Sequence, residues 1–266
     1  MATARCTGAD LYYEEYGEGE PLVFLHGAWA GLRFFEPQLR ELSSDYRTVA
    51  FDFRGHGRSE TTPDGHTVPQ YARDLRAFLE QRELDDVVLV GWSLGALVSW
   101  EYVGQFGTER LRALVDVDME PSPAQWEGED RGRYDADRLR DIHVAIQTDH
   151  WTFTERIRED LFKEPPDAAV GTMMFDESIR CPPAVKSAII LDVTMRDYRP
   201  VLPEVDVPTL VCAGADEKWR TVASVERVAE LVPGAEFEVF EESGHCLTVE
   251  EPDRFNRVVG EFVGSL

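Results

Sequence analysis

Residues 87–98 read Val-Val-Leu-Val-Gly-Trp-Ser-Leu-Gly-Ala-Leu-Val. Four consecutive aliphatic residues are typical of a central strand buried on both faces, and the apolar run after Gly95 predicts a helix packed on the same sheet. Ser93 stands at the corner between the two elements. Because Gly91 and Gly95 lack Cβ atoms, strand and helix can approach closely. The stretch predicts a strained turn that presents Ser93 as a nucleophile, and the alternative is a plain tight turn.

Strand-like and helix-like segments alternate on both sides of a long interruption. Aliphatic strands and amphipathic helices follow one another through residues 1–118 and again through 207–266, which predicts an α/β fold with a mostly parallel sheet. Residues 11–16 alternate and precede a Gly- and Pro-rich break, so they predict an edge hairpin. Residues 119–206 lack aliphatic strands and contain charged, helix-like pieces. We expect one core domain, 1–118 with 207–266, and an inserted helical cap, 119–206.

The charge of the chain limits its partners. With 51 acidic and 27 basic residues, the formal net charge is -24, which repels nucleic-acid phosphates and anionic membrane surfaces. No apolar segment has the length of a signal peptide core or of a transmembrane helix, so we expect a cytoplasmic protein. A homodimer remains open. The partner expected from the sequence is a small molecule.

Four cysteines are spread along the chain without the spacing of a metal site. None of Cys6, Cys181, Cys212 and Cys246 forms a C-x-x-C pair, and Cys212 falls in a predicted buried strand. We predict four free thiols, no disulfide and no metal site.

Three side chains stand just past predicted strand ends in the order serine, aspartate, histidine. Ser93, Asp216 and His245 share one crevice if the strands are parallel. A serine hydroxyl becomes a nucleophile when an imidazole takes its proton, and a carboxylate orients that imidazole. We predict these three as nucleophile, orienter and base. Asp118 or Glu120, after the sixth strand, is the alternative orienter.

Acyl transfer also needs donors for the developing oxyanion. We assign the backbone amides of Leu94, beside the nucleophile, and of Ala28, in the turn after the strand at 22–25. The alternative to Ala28 is Trp29, whose indole would otherwise form a pocket wall. Trp126, Trp151 and Phe153 of the predicted cap are candidates for the same apolar pocket.

These motifs together resemble the α/β-hydrolase superfamily, in particular capped serine esterases and lactonases related to cofactor-free haloperoxidases. The resemblance rests on His26-Gly27, the run Asp-Phe-Arg-Gly-His-Gly-Arg-Ser at 52–59, Gly-Trp-Ser-Leu-Gly at 91–95, Asp216 and the Ser-Gly-His of 243–245. It implies an eight-stranded sheet, a helical cap and no cofactor. A serine nucleophile argues against the dehalogenase and epoxide-hydrolase branches.

Three functions follow from this reading. The first is hydrolysis of a small to medium, largely apolar carboxylic ester or lactone through an acyl-Ser93 intermediate. The second is cofactor-free haloperoxidase or perhydrolase activity, in which peroxide replaces water. The third keeps the fold but uses the pocket to bind a small signal or to support cofactor-free oxygen chemistry, and it would survive loss of the Ser93 hydroxyl.

Overall fold

The computed structural model describes residues 2–124 and 134–266. Its eight strands are β1 Ala2–Cys6, β2 Ala9–Tyr16, β3 Pro21–Leu25, β4 Arg47–Phe51, β5 Val87–Trp92, β6 Leu111–Val117, β7 Thr209–Gly214 and β8 Glu236–Phe240. Its α-helices are α1 Glu36–Glu41, α2 Val68–Gln81, α3 Leu94–Phe106, α4 Ala136–Thr148, α5 His150–Asp160, α6 Ala168–Arg180, α7 Pro183–Thr194, α8 Val222–Leu231, α9 Leu247–Glu250 and α10 Pro252–Gly264.

All eight strands form one sheet in the order β1-β2-β4-β3-β5-β6-β7-β8. The β1/β2 and β2/β4 pairs are antiparallel, and every pair from β4 to β8 is parallel. The predicted α/β-hydrolase architecture with a mostly parallel eight-stranded sheet is therefore confirmed. Residues 11–16 lie in an edge hairpin whose first strand, β1, the sequence reading did not identify.

The central strand β5 is buried along its whole length and pairs with β3 and β6. Apolar side chains on its two faces enter two separate cores, one containing Val87 and Leu89 and the other Val88 and Val90. Helices cover both faces, which is why the strand is aliphatic without alternation. The loops that follow these parallel strands meet at one edge of the sheet.

Helices α4 to α7 lie between β6 and β7, in the stretch predicted as the cap. We call them the inserted helices. Asp135, Asp149 and Asp167 begin α4, α5 and α6, and each side chain accepts a hydrogen bond from a backbone amide of its own helix. Among the described helices, none is both long and apolar enough to traverse a bilayer. The four cysteines are free thiols, as predicted.

The turn at Ser93 depends on glycines that tolerate very close contacts. A Cβ on Gly95 would lie 2.0 Å from the carbonyl oxygen of Leu25, at the end of β3. A Cβ on Gly91 would lie 2.6 Å from the backbone of Gly95. The strand, the turn and the helix therefore fit together only because both side chains are absent.

We expect Gly95→Ala to lower the free energy of unfolding by about 1–3 kcal/mol or more, because the added methyl group must displace backbone. Gly104 provides the matched control on the same helix, since its Cβ would meet only Val201 at 3.6 Å. Gly104→Ala should be neutral or stabilising by up to about 1 kcal/mol. Urea denaturation of both variants measures the difference, and equal stability would contradict the proposed packing.

Candidate active site

Ser93 occupies a strained turn between β5 and α3. Its backbone adopts φ 54° and ψ -112°, a conformation that L-residues rarely occupy. Its amide donates a hydrogen bond to Val117 O, 2.9 Å away, which ties the turn to the end of β6. Strain at a serine that faces a cavity is the arrangement expected of a nucleophile on a sharp strand-to-helix turn.

The cavity lies between the carboxyl edge of the sheet and the inserted helices. Counted with its open mouth, it encloses about 780 Å³. The core contributes Ser93 and His245 to its wall, and the inserted helices contribute Thr154, Arg158 and Ser178. The predicted nucleophile and the predicted base therefore face the same space.

His245 is held from both sides by aromatic rings and by its own backbone. Its amide donates to Leu161 O at 2.9 Å, and its carbonyl accepts from Nε1 of Trp92 at 2.8 Å. The rings of Trp92 and Trp219 each lie 5.2 Å from the imidazole, centre to centre. These contacts restrict the rotation of the imidazole.

The carboxylate that meets this imidazole is Asp118. Its Oδ2 lies 2.5 Å from Nδ1 of His245, and both side chains are buried. Its Oδ1 accepts from the Gly214 amide at 3.3 Å. Burial raises the pKa of Asp118, and Arg220 and this amide oppose the rise. The pairing agrees with the alternative kept open for the residue after β6.

The prediction that Asp216 orients His245 is wrong. The Asp216 side chain is 54% exposed and forms an ion pair with Lys163, whose Nζ is 2.8 Å from Oδ2. The strand end was identified correctly, but the loop after β7 turns this side chain outward. Its direction depends on packing against the chain near residue 163, which the local sequence does not specify.

The next residue, Glu217, points inward and was missed. Its Oε1 is 3.7 Å from Nδ1 of His245 and has no hydrogen-bond partner among the residues that the structure describes, whereas its Oε2 accepts from the amides of Trp219 and Arg220. Burial raises the pKa of Glu217, while Arg220 and His245 lower it. A second carboxylate therefore faces the imidazole beside Asp118. The only sequence signal was its place in the same turn as Asp216.

Arg220, also missed, joins these groups. Its Nε bonds Glu120, and its Nη1 donates to Asp118 O at 3.0 Å. Nη1 lies 2.9 Å from Nδ1 and 3.5 Å from Nε2 of His245. Such similar distances to both ring nitrogens place the guanidinium over the face of the imidazole rather than on either lone pair. Glu120, the other proposed orienter, pairs with Arg220 instead.

Asp118, Glu217 and His245 bring potential metal-ligand atoms within 4.8 Å of one another. Nη1 of Arg220 lies 3.7 Å from Oδ2 of Asp118 and 3.9 Å from Oε1 of Glu217, in addition to its contact with the ring. The cation among these ligands is thus the guanidinium itself. The arrangement fits a charge cluster built around Arg220 better than a metal site.

We expect Arg220→Gln to lower the free energy of unfolding by about 3–5 kcal/mol, because it leaves buried carboxylates without their cation. Removal of Arg220 raises the pKa of Asp118 and Glu217 further in the folded state. When a carboxyl group has a higher pKa in the folded than in the unfolded state, the free energy of unfolding falls as pH rises through the folded-state pKa. The loss should therefore be larger at pH 8 than at pH 5.5 in chemical denaturation.

Arg227→Gln is the control for this prediction, because Arg227 pairs on the exposed face of α8 with Glu230, 2.7 Å away. An exposed pair contributes about 0–1 kcal/mol. Similar losses in the two variants would contradict the role given to Arg220.

Two backbone amides at the cavity wall are available to an oxyanion. Ala28 and Leu94 both line the cavity, and in the described part of the chain neither amide donates to another group. The Trp29 amide, the alternative to Ala28, donates to Nε2 of His56 at 3.2 Å. Burial holds the pKa of His56 well below its usual value, so this acceptor stays neutral. The structure therefore favours Ala28 over Trp29.

The aromatic residues predicted for the pocket have different positions. Trp29 lines the cavity. Phe153 lies behind it, with ring centres 5.3 Å apart and outside the cavity wall, and Trp151 is 62% exposed, so both predictions are wrong. Helix α5 turns Thr154 inward instead, one residue after Phe153. Trp126 lies outside the described residues.

Comparison with known proteins identifies relatives that align over nearly the whole chain. The chain is 28% identical over 274 residues to the non-heme chloroperoxidase CPO-A1 of Kitasatospora aureofaciens, covering 96% of each chain. It is 26% identical to 3-oxoadipate enol-lactonase 2 of Acinetobacter baylyi, covering 94% of this chain and 91% of the relative.

Solved structures of two esterases also resemble this chain over nearly its whole length. An esterase from Exiguobacterium antarcticum superposes with a TM-score of 0.94 at 25% identity, covering 98% of both chains. The esterase RhEst1 from a Rhodococcus species gives 0.88 at 28% identity, covering 100% of this chain and 98% of its own. The family model described as the alpha/beta hydrolase family matches residues 22–258. The chain therefore belongs to the alpha/beta hydrolase family.

Proposed function

We propose that this protein is a serine hydrolase that cleaves a carboxylic ester or lactone through an acyl-Ser93 intermediate. The observation that carries the proposal is the strained Ser93 turn on the wall of a cavity that also contains His245, itself bonded to Asp118 at 2.5 Å. Esterases and an enol-lactonase among the similar proteins support the same class of reaction.

The proposed reaction begins at His245. Because Nδ1 bonds Asp118, the base is Nε2, which takes the Ser93 proton as Oγ attacks the substrate carbonyl. The imidazolium that forms is stabilised by Asp118 and Glu217. Arg220 shares its single positive charge among Asp118, Glu217 and the more distant Glu120, so the two carboxyl groups that face the ring can still favour this cation.

The Ala28 and Leu94 amides then bind the oxyanion, and its collapse expels the alcohol, which receives the proton from His245. A lactone keeps its alcohol on the same molecule. Water activated by His245 attacks the acyl-enzyme and releases the acid and free Ser93.

Labelling with a fluorophosphonate tests the nucleophile before the substrate is known. The wild-type protein should gain one phosphonyl group on Ser93 in intact-mass and peptide analysis, and a panel of aryl esters and lactones should then identify turnover. An unlabelled wild-type protein that is inert across the panel would overturn the proposal.

A second candidate is perhydrolysis or haloperoxidase activity, which the chloroperoxidase relative favours. In this reaction hydrogen peroxide replaces water at the acyl-enzyme and gives a peracid. Bromination of monochlorodimedone that requires peroxide, acetate and bromide together, at a rate above ester hydrolysis, would make this the principal activity.

A further inference from the structure

Lys186, on helix α7, is a buried cation, and no carboxylate of the described residues pairs with it. Its side chain is fully buried, and its Nζ donates to the hydroxyl oxygens of Thr154 at 2.9 Å and Ser178 at 3.2 Å. The rings of Trp29 and Phe153 lie 5.8 and 5.7 Å from Nζ. Within residues 2–124 and 134–266, it forms no salt bridge. Two hydroxyl groups and two aromatic rings are therefore the nearest groups that stabilise its positive charge.

The titratable groups that act on Lys186 do not neutralise it. They are Cys181, His56 and His150. Burial raises the pKa of Cys181 to about 12 and lowers the pKa of both histidines, so all three are neutral near pH 7. Burial also lowers the pKa of Lys186 itself, to about 8. Among the acidic residues that the structure describes, none forms an ion pair with this buried cation.

An unpaired buried charge reduces stability, and an apolar side chain of similar size would not. A function at the cavity offers a reason for keeping it, because Thr154, Ser178 and Trp29 all line the cavity that contains Ser93. The ammonium group therefore lies directly behind the wall formed by the inserted helices. In this low-dielectric setting its charge acts on whatever occupies the cavity.

The two hydroxyl groups next to Lys186 differ in what they can offer a ligand. Thr154 Oγ1 accepts from Nζ and donates to His150 O at 2.8 Å, so its proton is used. Ser178 Oγ accepts from Nζ and, within the described chain, donates to no other group. A hydroxyl group that accepts from a cation is a stronger donor in turn. Ser178 therefore presents a polarised O–H to the cavity.

We propose that Lys186, through Ser178, makes the cavity select esters or lactones that carry a carboxylate at the end remote from the reacting carbonyl. This specificity rests on the proposed hydrolase function. Arg158, also on the cavity wall, adds a second cation, and within residues 2–124 and 134–266 its ion pair is with the partly exposed Glu155, 2.8 Å away. Ser93 and the two amides receive the reacting carbonyl on the core side, and the inserted helices receive the anion.

The test compares 4-nitrophenyl hemiesters of adipate, pimelate and suberate with their neutral methyl esters and with unsubstituted 4-nitrophenyl esters of equal chain length. In wild type, kcat/KM for the free-carboxylate substrate of the best length should exceed that of its methyl ester by about tenfold or more, the scale of one charge-assisted hydrogen bond. Lys186→Met should bring this ratio of kcat/KM values close to one. Its kcat/KM for the neutral esters should stay within about threefold of the wild-type value. Ser178→Ala should also lower this ratio relative to wild type.

Three measurements separate specificity from a structural role. The wild-type ratio should fall as pH rises through about 8, where Lys186 loses its proton, and the Lys186→Met ratio should be flat. Arg140→Met, which removes one charge from the exposed face of α4, should leave the ratio unchanged. Because the depressed pKa penalises the folded state below pH 8, Lys186→Met should also raise Tm near pH 7, and the gain should shrink toward pH 10.

A binding experiment distinguishes this inference from the proposed function. Monomethyl adipate should raise the Tm of Ser93→Ala more than dimethyl adipate does, and Lys186→Met in the same background should remove that difference. If no ester is hydrolysed but this difference persists, the anion site stands and the hydrolase assignment fails. If esters are hydrolysed without preference for the carboxylate in wild type, or with equal preference in Lys186→Met, the inference is overturned.

Discussion

Ser93→Ala should lower kcat for any ester or lactone that the wild-type protein hydrolyses by about 10⁴- to 10⁶-fold, because Ser93 is, among the described residues of the cavity wall, the hydroxyl on the strained strand-to-helix turn. KM should change little, since the cavity walls remain. The measurement is steady-state kinetics on the best substrate from the panel, with intact-mass analysis of fluorophosphonate-treated protein alongside. The variant should remain unlabelled.

The control for Ser93→Ala is Ser99→Ala on the same helix. Ser99 is buried, and its hydroxyl donates only to Gly95 O, 3.1 Å away within α3. Its loss should leave turnover and labelling near wild-type levels. Ser93→Ala should also keep a wild-type Tm, because alanine bears the same φ of 54° with the same strain. Turnover that survives Ser93→Ala would support a function of the pocket that does not pass through an acyl-serine.

Asp118→Asn should lower kcat by about 10³- to 10⁴-fold. The amide preserves the shape of the contact with Nδ1 of His245 but favours the wrong tautomer and does not stabilise the imidazolium. The loss should appear in kcat rather than in KM, because Asp118 contacts the base and not the cavity. The pH profile of the residual activity reports the change in His245.

Asp216→Asn is the matched control, an identical substitution at the side chain first predicted for this role. Asp216 is half exposed and bonded to Lys163, so kcat should stay within about twofold of wild type. A larger loss from Asp216→Asn than from Asp118→Asn would mean that the loop after β7 rearranges during the reaction.

The size of the loss in Asp118→Asn depends on Glu217, the second carboxyl group that faces the imidazole. Its Oε1, 3.7 Å from Nδ1, is close enough to support the imidazolium when Asp118 is changed. Glu217→Gln alone should therefore have a smaller effect than Asp118→Asn, and the double variant should lose more than either. A double-mutant cycle on kcat measures this coupling.

The sequence alone determined the fold class and the two strand ends that place Ser93 and His245 on one cavity wall. The pattern at 87–98 is local, because a buried strand, a glycine-flanked serine and an apolar helix follow one another within twelve residues. The Ser-Gly-His turn after the last strand is equally local and places His245 at the same edge. Such patterns record backbone geometry and burial of consecutive residues, which is the information that a single chain segment carries.

Only the tertiary structure decided which acid meets the imidazole and which cations surround the cavity. Asp118 and Asp216 both follow strands, but they meet different partners. Asp118 accepts from the Gly214 amide, roughly a hundred positions away, and Asp216 pairs with Lys163, roughly fifty positions away. The uncharged hydroxyl groups that meet Lys186 in the described structure likewise come from other helices. Side-chain direction in loops, and charge compensation in the interior, arise from contacts between distant segments and therefore appear only in the folded molecule.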